Sequence, residues 1–217
     1  LGRLRLRHAN GFEAALRVHD QYLGTYNQRP GRDDEFAAVS SFDIGSTVQQ
    51  TLEHGNFTTN IGIEYLGREN VDAYDAVVSV LNRTYSLKNG SEDGWSLFAL
   101  TDWQASAKVA LEFGGRATRN SQDHDGIHSS DTANALTAGL VYSPNDWSRV
   151  TANLASGFRF PTLEERFYTG VTAQGEVVGN PDLGSEKSKG IDIGYAIDRG
   201  NWGGEIHLWR TNMDDLI

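Results

Sequence analysis

The sequence predicts an all-β fold: an antiparallel up-and-down transmembrane β-barrel, present as a partial set of about ten strands. Three observations predict it. Apolar and polar residues alternate over long stretches, as at Ile191, Ile193, Tyr195 and Ile197 against Asp192, Gly194 and Ala196. That is the period of a strand with one apolar and one polar environment. Short turns and long polar loops succeed one another along the chain, as they do on the two rims of a membrane barrel. A small polar residue followed by an aromatic marks each short turn: Gly11-Phe12, Asn56-Phe57, Asp102-Trp103, Asp146-Trp147 and Asn201-Trp202.

Composition narrows the alternatives. The chain of 217 residues is long enough for one domain with an ample core. Its mean hydropathy is negative, and no apolar run approaches the roughly 18 residues that a membrane helix needs. A barrel is compatible with that, because only alternate positions of each strand are apolar. There is no Cys, so disulfide frameworks, thiolate metal sites and Cys nucleophiles drop out. A net charge of -10 argues against nucleic acid as a partner.

The elements follow in order. Over 1–7, Leu4 and Leu6 alternate with Arg3, Arg5 and Arg7; such a strand suits a barrel wall or an amphipathic soluble sheet. After a turn at His8–Gly11, Phe12, Ala14, Leu16 and Val18 mark a strand over 12–26. A loop from Asn27 to Asp34 precedes a long strand over 35–53, with Phe36, Ala38, Phe42, Ile44, Val48 and Leu52 among its apolar positions. The strand over 57–68 carries Thr59, Ile61, Ile63 and Tyr65 on one parity. Gly67 to Gly94 reads as a long loop, with a short inserted strand over Val77–Leu81. Parity blurs over 94–102, where Leu97 and Phe98 are adjacent, and recovers over 104–118 beyond a turn at Asp102-Trp103. Asn120 to Asn134 reads as another polar loop. Strands over 133–143 and 147–157 flank the Ser143–Asp146 turn, and strands over 186–198 and 202–212 flank Arg199–Asn201.

The turn aromatics Phe12, Phe57, Trp103, Trp147 and Trp202 are 45, 46, 44 and 55 residues apart. Each unit is thus a strand, a long loop, a strand and a tight turn, which puts all five aromatics along one edge. A ring with one wet and one apolar side prefers the membrane–water boundary, so the row reads as an interfacial girdle. A soluble β-propeller also repeats at about 40–45 residues, but its blade holds four short strands, whereas each unit here has two long ones.

The longest connection carries two landmarks. The first is Gly157-Phe158-Arg159-x-Pro161-x-Leu163-x-Glu165, and the second is Gly179-Asn180-Pro181-Asp182-Leu183-x-x-Glu186-x-Ser188. In this order, with an alternating strand behind them, they resemble the barrel of TonB-dependent outer-membrane receptors. Where that family usually continues Lys-Pro-Glu, this chain has Gly184-Ser185-Glu186. The resemblance treats 1–217 as a partial barrel region with long extracellular loops and short periplasmic turns, without the plug domain. It implies residence in the bacterial outer membrane. It also implies uptake of a scarce nutrient, such as a ferric siderophore, haem or cobalamin, energised by TonB through a plug segment. The implied partners are outer-membrane lipid, TonB and an iron chelate or similar small ligand. The full barrel has about 22 strands, so ten should neither transport nor fold stably alone. Leu1 opens in a strand-like pattern without Met or signal peptide, and an internal piece of a longer chain is expected. A passive porin and a soluble propeller-type or lectin-like binding protein are the rival readings.

No catalytic constellation emerges. There is neither a nucleophile elbow nor a phosphate-binding glycine loop, and the adjacent Glu164 and Glu165 should point apart, so no enzyme is expected. His124 and His128, with Asp123, Asp125 and Asp131 near, hold plausible ligands for a divalent ion; their spacing fits no calcium loop, and a solvated loop is the expectation. No cofactor or metal is expected. For recognition, Arg159, Phe160, Arg166 and Tyr168 concentrate cationic and aromatic groups at the mouth of the proposed barrel, where charge-assisted hydrogen bonds and stacking could hold an anionic or flat ligand. Gly157, Phe158, Pro161, Asn180, Pro181, Asp182, Leu183 and Glu186 are expected to shape the loop.

Overall fold

The computed structural model describes every residue except 29, 32, 78–81 and 173–174. Its strands are β1 (Gly2–Arg7), β2 (Phe12–Asn27), β3 (Glu35–His54), β4 (Phe57–Val77), β5 (Asn82–Ser106), β6 (Val109–His124), β7 (Ile127–Asn145) and β8 (Ser148–Arg159). A five-residue helix, α1 (Leu163–Phe167), and the short strands β9 (Thr169–Thr172) and β10 (Gly175–Val178) follow, before β11 (Glu186–Arg199) and β12 (Trp202–Asp214). Ten strands form one antiparallel sheet in the order β1-β2-β3-β4-β5-β6-β7-β8-β11-β12, and β9 pairs only with β10. Sheet order is chain order, the up-and-down topology that alternating turns and loops foretell. Among the described residues the sheet does not close, for β1 pairs with β2 alone and β12 with β11 alone.

Two expected loops are instead ribbon. The region 67–94 is mostly strand, because β4 runs to Val77 and β5 starts at Asn82. Register shifts between Arg68 and Val71, and again before Ala73 and Tyr74, break the two-residue period there. Asn70 and Asn89 sit at positive φ (51° and 52°) beside these irregularities, the left-handed conformation that Asn tolerates better than most residues. The inserted strand expected over Val77–Leu81 lies, beyond Val77, outside the described residues. The second expected loop, Asn120–Asn134, is the outer part of the β6–β7 hairpin, which turns at Asp125-Gly126. The turn expected at Asp102-Trp103 is likewise displaced: both residues lie within β5, and the chain reverses at Ala107-Lys108.

Register fixes which side chains share a face. Val48, Ile63 and Leu97 are direct cross-strand partners, as are Phe113 and Ala138, and Ile193 and Ala152. Among the described residues no second layer covers this apolar face: Ile61, Ile63, Ile191 and Ile193 are 51%, 39%, 43% and 48% exposed, and Leu140 is half-buried. The opposite face carries Asn60, Glu64, Arg116, Asp192 and their neighbours. The blurred parity at Leu97 and Phe98 resolves simply. Leu97 stands on the apolar face, while Phe98 lies on the polar one over Gly62, where a Cβ would come within 2.5 Å of the Phe98 ring.

Phe57 and Trp103 pair across β4 and β5 and stack at 5.3 Å. Eight residues further along β4, Tyr65 meets Trp95 at 4.7 Å on the same face. Aromatic pairs therefore bound the apolar band at both ends on these strands. Phe12, Phe57, Trp147 and Trp202 flank short turns, and Trp103 lies close to one, so all five stand at the same end of the sheet.

Candidate functional site: the connection folded onto the polar face

The β8–β11 connection folds back over the polar face at the long-loop end. Its anchor is α1, too short to persist by propensity alone. A capping box holds its start: Glu165 N–H donates to Thr162 Oγ1 (3.1 Å), and Thr162 N–H donates to Glu165 Oε2 (2.8 Å). Leu163 and Phe167 occupy one helical face and bury themselves against Val71, Ala73 and Leu87, with Val39 and Tyr168 alongside. The helix is thereby stapled to the ribbon that replaces the expected loop.

Arg166 is the deepest charged group, 1% exposed. Its guanidinium donates to Gln122 on β6 (3.0 Å), to Asp131 on β7 and to the Leu183 carbonyl (2.6 Å). Gln122, itself fully buried, donates to the Pro161 carbonyl (2.8 Å) and to Glu92 (3.1 Å), to which Asn120 also donates (2.9 Å). One arginine therefore ties two wall strands to both landmarks of the connection.

Arg159 grips the base. Its Nε and Nη2 donate to the two oxygens of Glu186 (2.9 and 2.8 Å), and Nη1 donates to Glu165 (2.8 Å). Bidentate geometry of this kind is the strong form of an arginine–carboxylate pair. The hydrogen bonds from Arg159, helped by the Ile217 N–H, hold the Glu186 carboxyl down at about 2. Arg159 also lowers Glu165, and its own guanidinium is raised by the two carboxylates, Glu186 first.

The second landmark is a self-bonded turn laid on the helix. Leu183 N–H reaches the Asn180 carbonyl (3.2 Å), and Asp182 N–H reaches Asn180 Oδ1 (3.1 Å). Gly179 and Asn180 donate in turn to the carbonyls of Tyr168 (2.7 Å) and Glu165 (3.1 Å). A Cβ on Gly179 would lie 2.5 Å from the Arg166 carbonyl, which explains a glycine before this Asn-Pro.

The four residues expected at a ligand are placed as follows. Arg166 is buried, with both Nη atoms bonded within the protein and Nε without a partner among the described residues. Arg159 is partly exposed but shared by two carboxylates. Phe160 packs against Phe158 at 5.1 Å, and Tyr168 lies against the buried cluster. Glu164 and Glu165 do point apart: Glu165 serves the cap, while Glu164 faces Arg68 at 3.4 Å. At the β6–β7 tip, His128 meets Asp123 (3.0 Å) and His124 meets Asp125 (3.5 Å). Among the described residues, no three His, Asp or Glu side chains gather as a metal site.

The wall also holds ion pairs that the sequence does not reveal. Arg116 reaches across to Glu64 and donates to Ser96 (2.8 Å), while Arg68 lies between Asp43, Glu92 and Glu164 at 3.4–3.9 Å. Polar parity marks these positions, but which acid meets which base depends on cross-strand register.

A chain-ordered sheet of long strands, apolar on one face and polar on the other, with a connection folded over the polar side, is a stretch of β-barrel wall. The chain belongs to the TonB-dependent receptor β-barrel family: the family model described as "TonB dependent receptor-like, beta-barrel" matches residues 2–217. Among solved structures it is similar to the copper transporter OprC, with a TM-score of 0.80 and 17% identity, over 94% of this chain and 36% of that one. It is also similar to a double mutant of the Serratia marcescens hemophore receptor HasR in complex with its hemophore HasA and heme (TM-score 0.67, 13% identity, 95% and 41% covered). The ferric citrate transporter FecA in its unliganded form is another (0.60, 14%, 97% and 33%). At these identities the likeness establishes the fold. The chain spans about a third to two-fifths of the length of these structures. A sequence comparison with the curated proteins found no match.

Proposed function

We propose that the chain is part of the barrel wall of a bacterial outer-membrane receptor that imports a scarce nutrient with energy relayed by TonB. Its partners on this reading are outer-membrane lipid, a plug segment through which TonB acts, and a small ligand of the ferric siderophore, haem or cobalamin kind. Transport, not catalysis, is assigned to it. The observation that carries the reading is family membership across residues 2–217. The exposed apolar face supports the lipid contact, since isolated strands in a bilayer would leave backbone groups unsatisfied and only a paired, closing sheet avoids this.

Uptake by the full-length receptor tests the proposal. Cells carrying it as their sole outer-membrane route are offered radiolabelled ferric siderophore, haem or cobalamin, with TonB present or absent. TonB-dependent accumulation of one of the three is expected. Accumulation that persists without TonB, together with swelling of liposomes that contain the receptor, would make it a passive pore.

A further inference from the structure

We propose that Arg119, on the apolar face, holds the phosphate of an anionic membrane lipid, and that Lys189 does the same further along the same rim. The inference rests on this face meeting lipid and makes no use of the imported nutrient. The other arginines of β6, β7 and β8 (Arg116, Arg149 and Arg159) stand on the polar face, so Arg119 is the one Arg or Lys that these strands turn outward. Its height is also particular. Arg119 is the direct partner of Trp95, which with Tyr65 ends the apolar band on the long-loop side. Below it on this face, β6 carries Val109, Leu111, Phe113, Gly115 and Ala117, with no charge among them. Lys189 on β11 lies about as far from the turn at Gly200 as Arg119 does from the turn at Ala107-Lys108, and Ile191, Ile193, Tyr195 and Ile197 come below it. A cation at the top of an unbroken apolar stripe stands where hydrocarbon gives way to headgroups, and long basic side chains reach towards that boundary.

Hydroxyls surround the guanidinium. Arg119 faces Thr132 across the β6–β7 ladder, and Ser121 faces Ser130 on the same face farther out. Arg119 Nε donates to Ser130 Oγ (3.3 Å) and Ser121 Oγ donates to the same oxygen (3.5 Å), which leaves both Nη groups of Arg119 without a partner among the described residues. The acids that follow on this face are engaged: Asp93 accepts from the Tyr65 hydroxyl, and Asp123 faces His128 at 3.0 Å. Lys189 has Ser156 and Asn212 as its cross-strand neighbours. A planar fork with a free edge and hydroxyls beside it matches the bidentate geometry of a phosphate oxyanion. The occupant is a lipid because the patch continues the apolar face without a break. Leu97 and Leu136, 63% and 66% exposed, are the partners of Ala117 and Gly115 directly beneath Arg119, where acyl chains joined to that phosphate would lie.

The test places the full-length receptor in nanodiscs of phosphatidylcholine alone or of an equal mixture with phosphatidylglycerol. Wild type, Arg119→Gln, Arg119→Gln with Lys189→Gln, and Arg149→Gln are compared. Arg149 faces Ala196 on the polar parity and serves as control. Native mass spectrometry counts the lipids that stay with the receptor on extraction into detergent. Wild type should retain phosphatidylglycerol over phosphatidylcholine. Each outward cation removed should lower that preference about fivefold, the worth of one basic residue at an anionic surface, while Arg149→Gln leaves it unchanged. A receptor that enters both bilayers but retains the two lipids equally, or whose preference survives the double substitution, would overturn the site and leave the lipid-facing reading intact. One that enters neither bilayer would remove both. Inorganic phosphate is the remaining probe: if it raises the Tm of lipid-free receptor in detergent, and Arg119→Gln abolishes the rise, the anion comes from solution and the lipid assignment falls.

Discussion

Arg166 and Arg159 show how much one side chain can decide in a thin wall. Arg166 is buried with its charge, so its value lies in having every partner present. Removing one member of such a buried pair costs about 3–5 kcal/mol, whereas replacing both by apolar residues of similar volume is often close to neutral. Asp131→Leu in the full-length receptor should therefore lower stability by about that amount, and Asp131→Leu with Arg166→Met should recover much of it. Urea unfolding in detergent measures both, and equal losses in the two variants would show that the pair is not the determinant. Arg159 acts where solvent reaches, and its effect is legible through pH. Glu186 has its carboxyl depressed to about 2 in the folded chain. A depressed acid contributes stability that is present above its unfolded value, near 4.5, and lost as pH falls through the folded one. The stability this grip gives the connection should be complete above about pH 5, decline progressively below 4.5 and be largely gone near pH 2. Arg159→Gln should return the Glu186 titration towards its ordinary range, as seen in carboxyl NMR shifts, and an unmoved titration would contradict the assignment.

At the scale of elements, the connection between β8 and β11 behaves as part of the wall. Leu163 and Phe167 are buried on the β4–β5 ribbon, and β9 comes close to the same ribbon at Ser86. A Cβ built on Gly170 lies 3.0 Å from Ser86 Cβ, about half an ångström short of the roughly 3.5–4.5 Å that a disulfide spans, a gap that a small shift of β9 supplies. Because the chain has no Cys, Ser86→Cys with Gly170→Cys should give a single, unambiguous cross-link. It is seen as a faster, reductant-sensitive band on a denaturing gel, and its absence under oxidising conditions would mean that the connection does not rest there. The strands that cross the apolar band were legible in the sequence because one face of each is uniformly apolar. Ile61, Ile63, Ile191 and Ile193 declare their parity without help. The outer halves of β4 to β7 were not legible. Above the band the apolar stripe stops, and the inner face is apolar only where the connection covers Val71, Ala73 and Leu87, so Asn, Asp, Ser and Gly are elsewhere as acceptable in strand as in loop. The irregularities beside Asn70 and Asn89 also shift the parity that a reader follows. Trp103 misled for a related reason: it sits near a turn and pairs with Phe57, but the reversal itself falls on Ala107 and Lys108, which carry no turn signal. The landmarks around Arg159 and Asn180 identified the family, yet their use was hidden, since Gln122 and Asp131 lie on strands that only cross-strand register brings to Arg166.

For the whole molecule, the two faces make opposite demands, and adjacent residues of one strand can be set against each other. Ile61 and Asn60 share β4 and differ only in the face they present. Ile61 is 51% exposed on the apolar face, midway between the Phe57–Trp103 and Tyr65–Trp95 pairs. Asn60 accepts a hydrogen bond from Thr51 Oγ1 (2.6 Å) on the polar face. If the apolar face meets hydrocarbon, Ile61→Arg should cost the full-length receptor about 2–4 kcal/mol in bilayers, the penalty for a charge near the midplane of a barrel wall. Asn60→Arg should lose only its single hydrogen bond, about 1 kcal/mol. Reversible unfolding from lipid vesicles measures the difference, and a soluble sheet with its apolar face against protein would also penalise Ile61→Arg. The discriminating variant is therefore Ile61→Trp. A packed core suffers from the added volume, whereas a face open to lipid accepts the larger ring without loss, so a marked destabilisation by Ile61→Trp would place this face against protein rather than lipid.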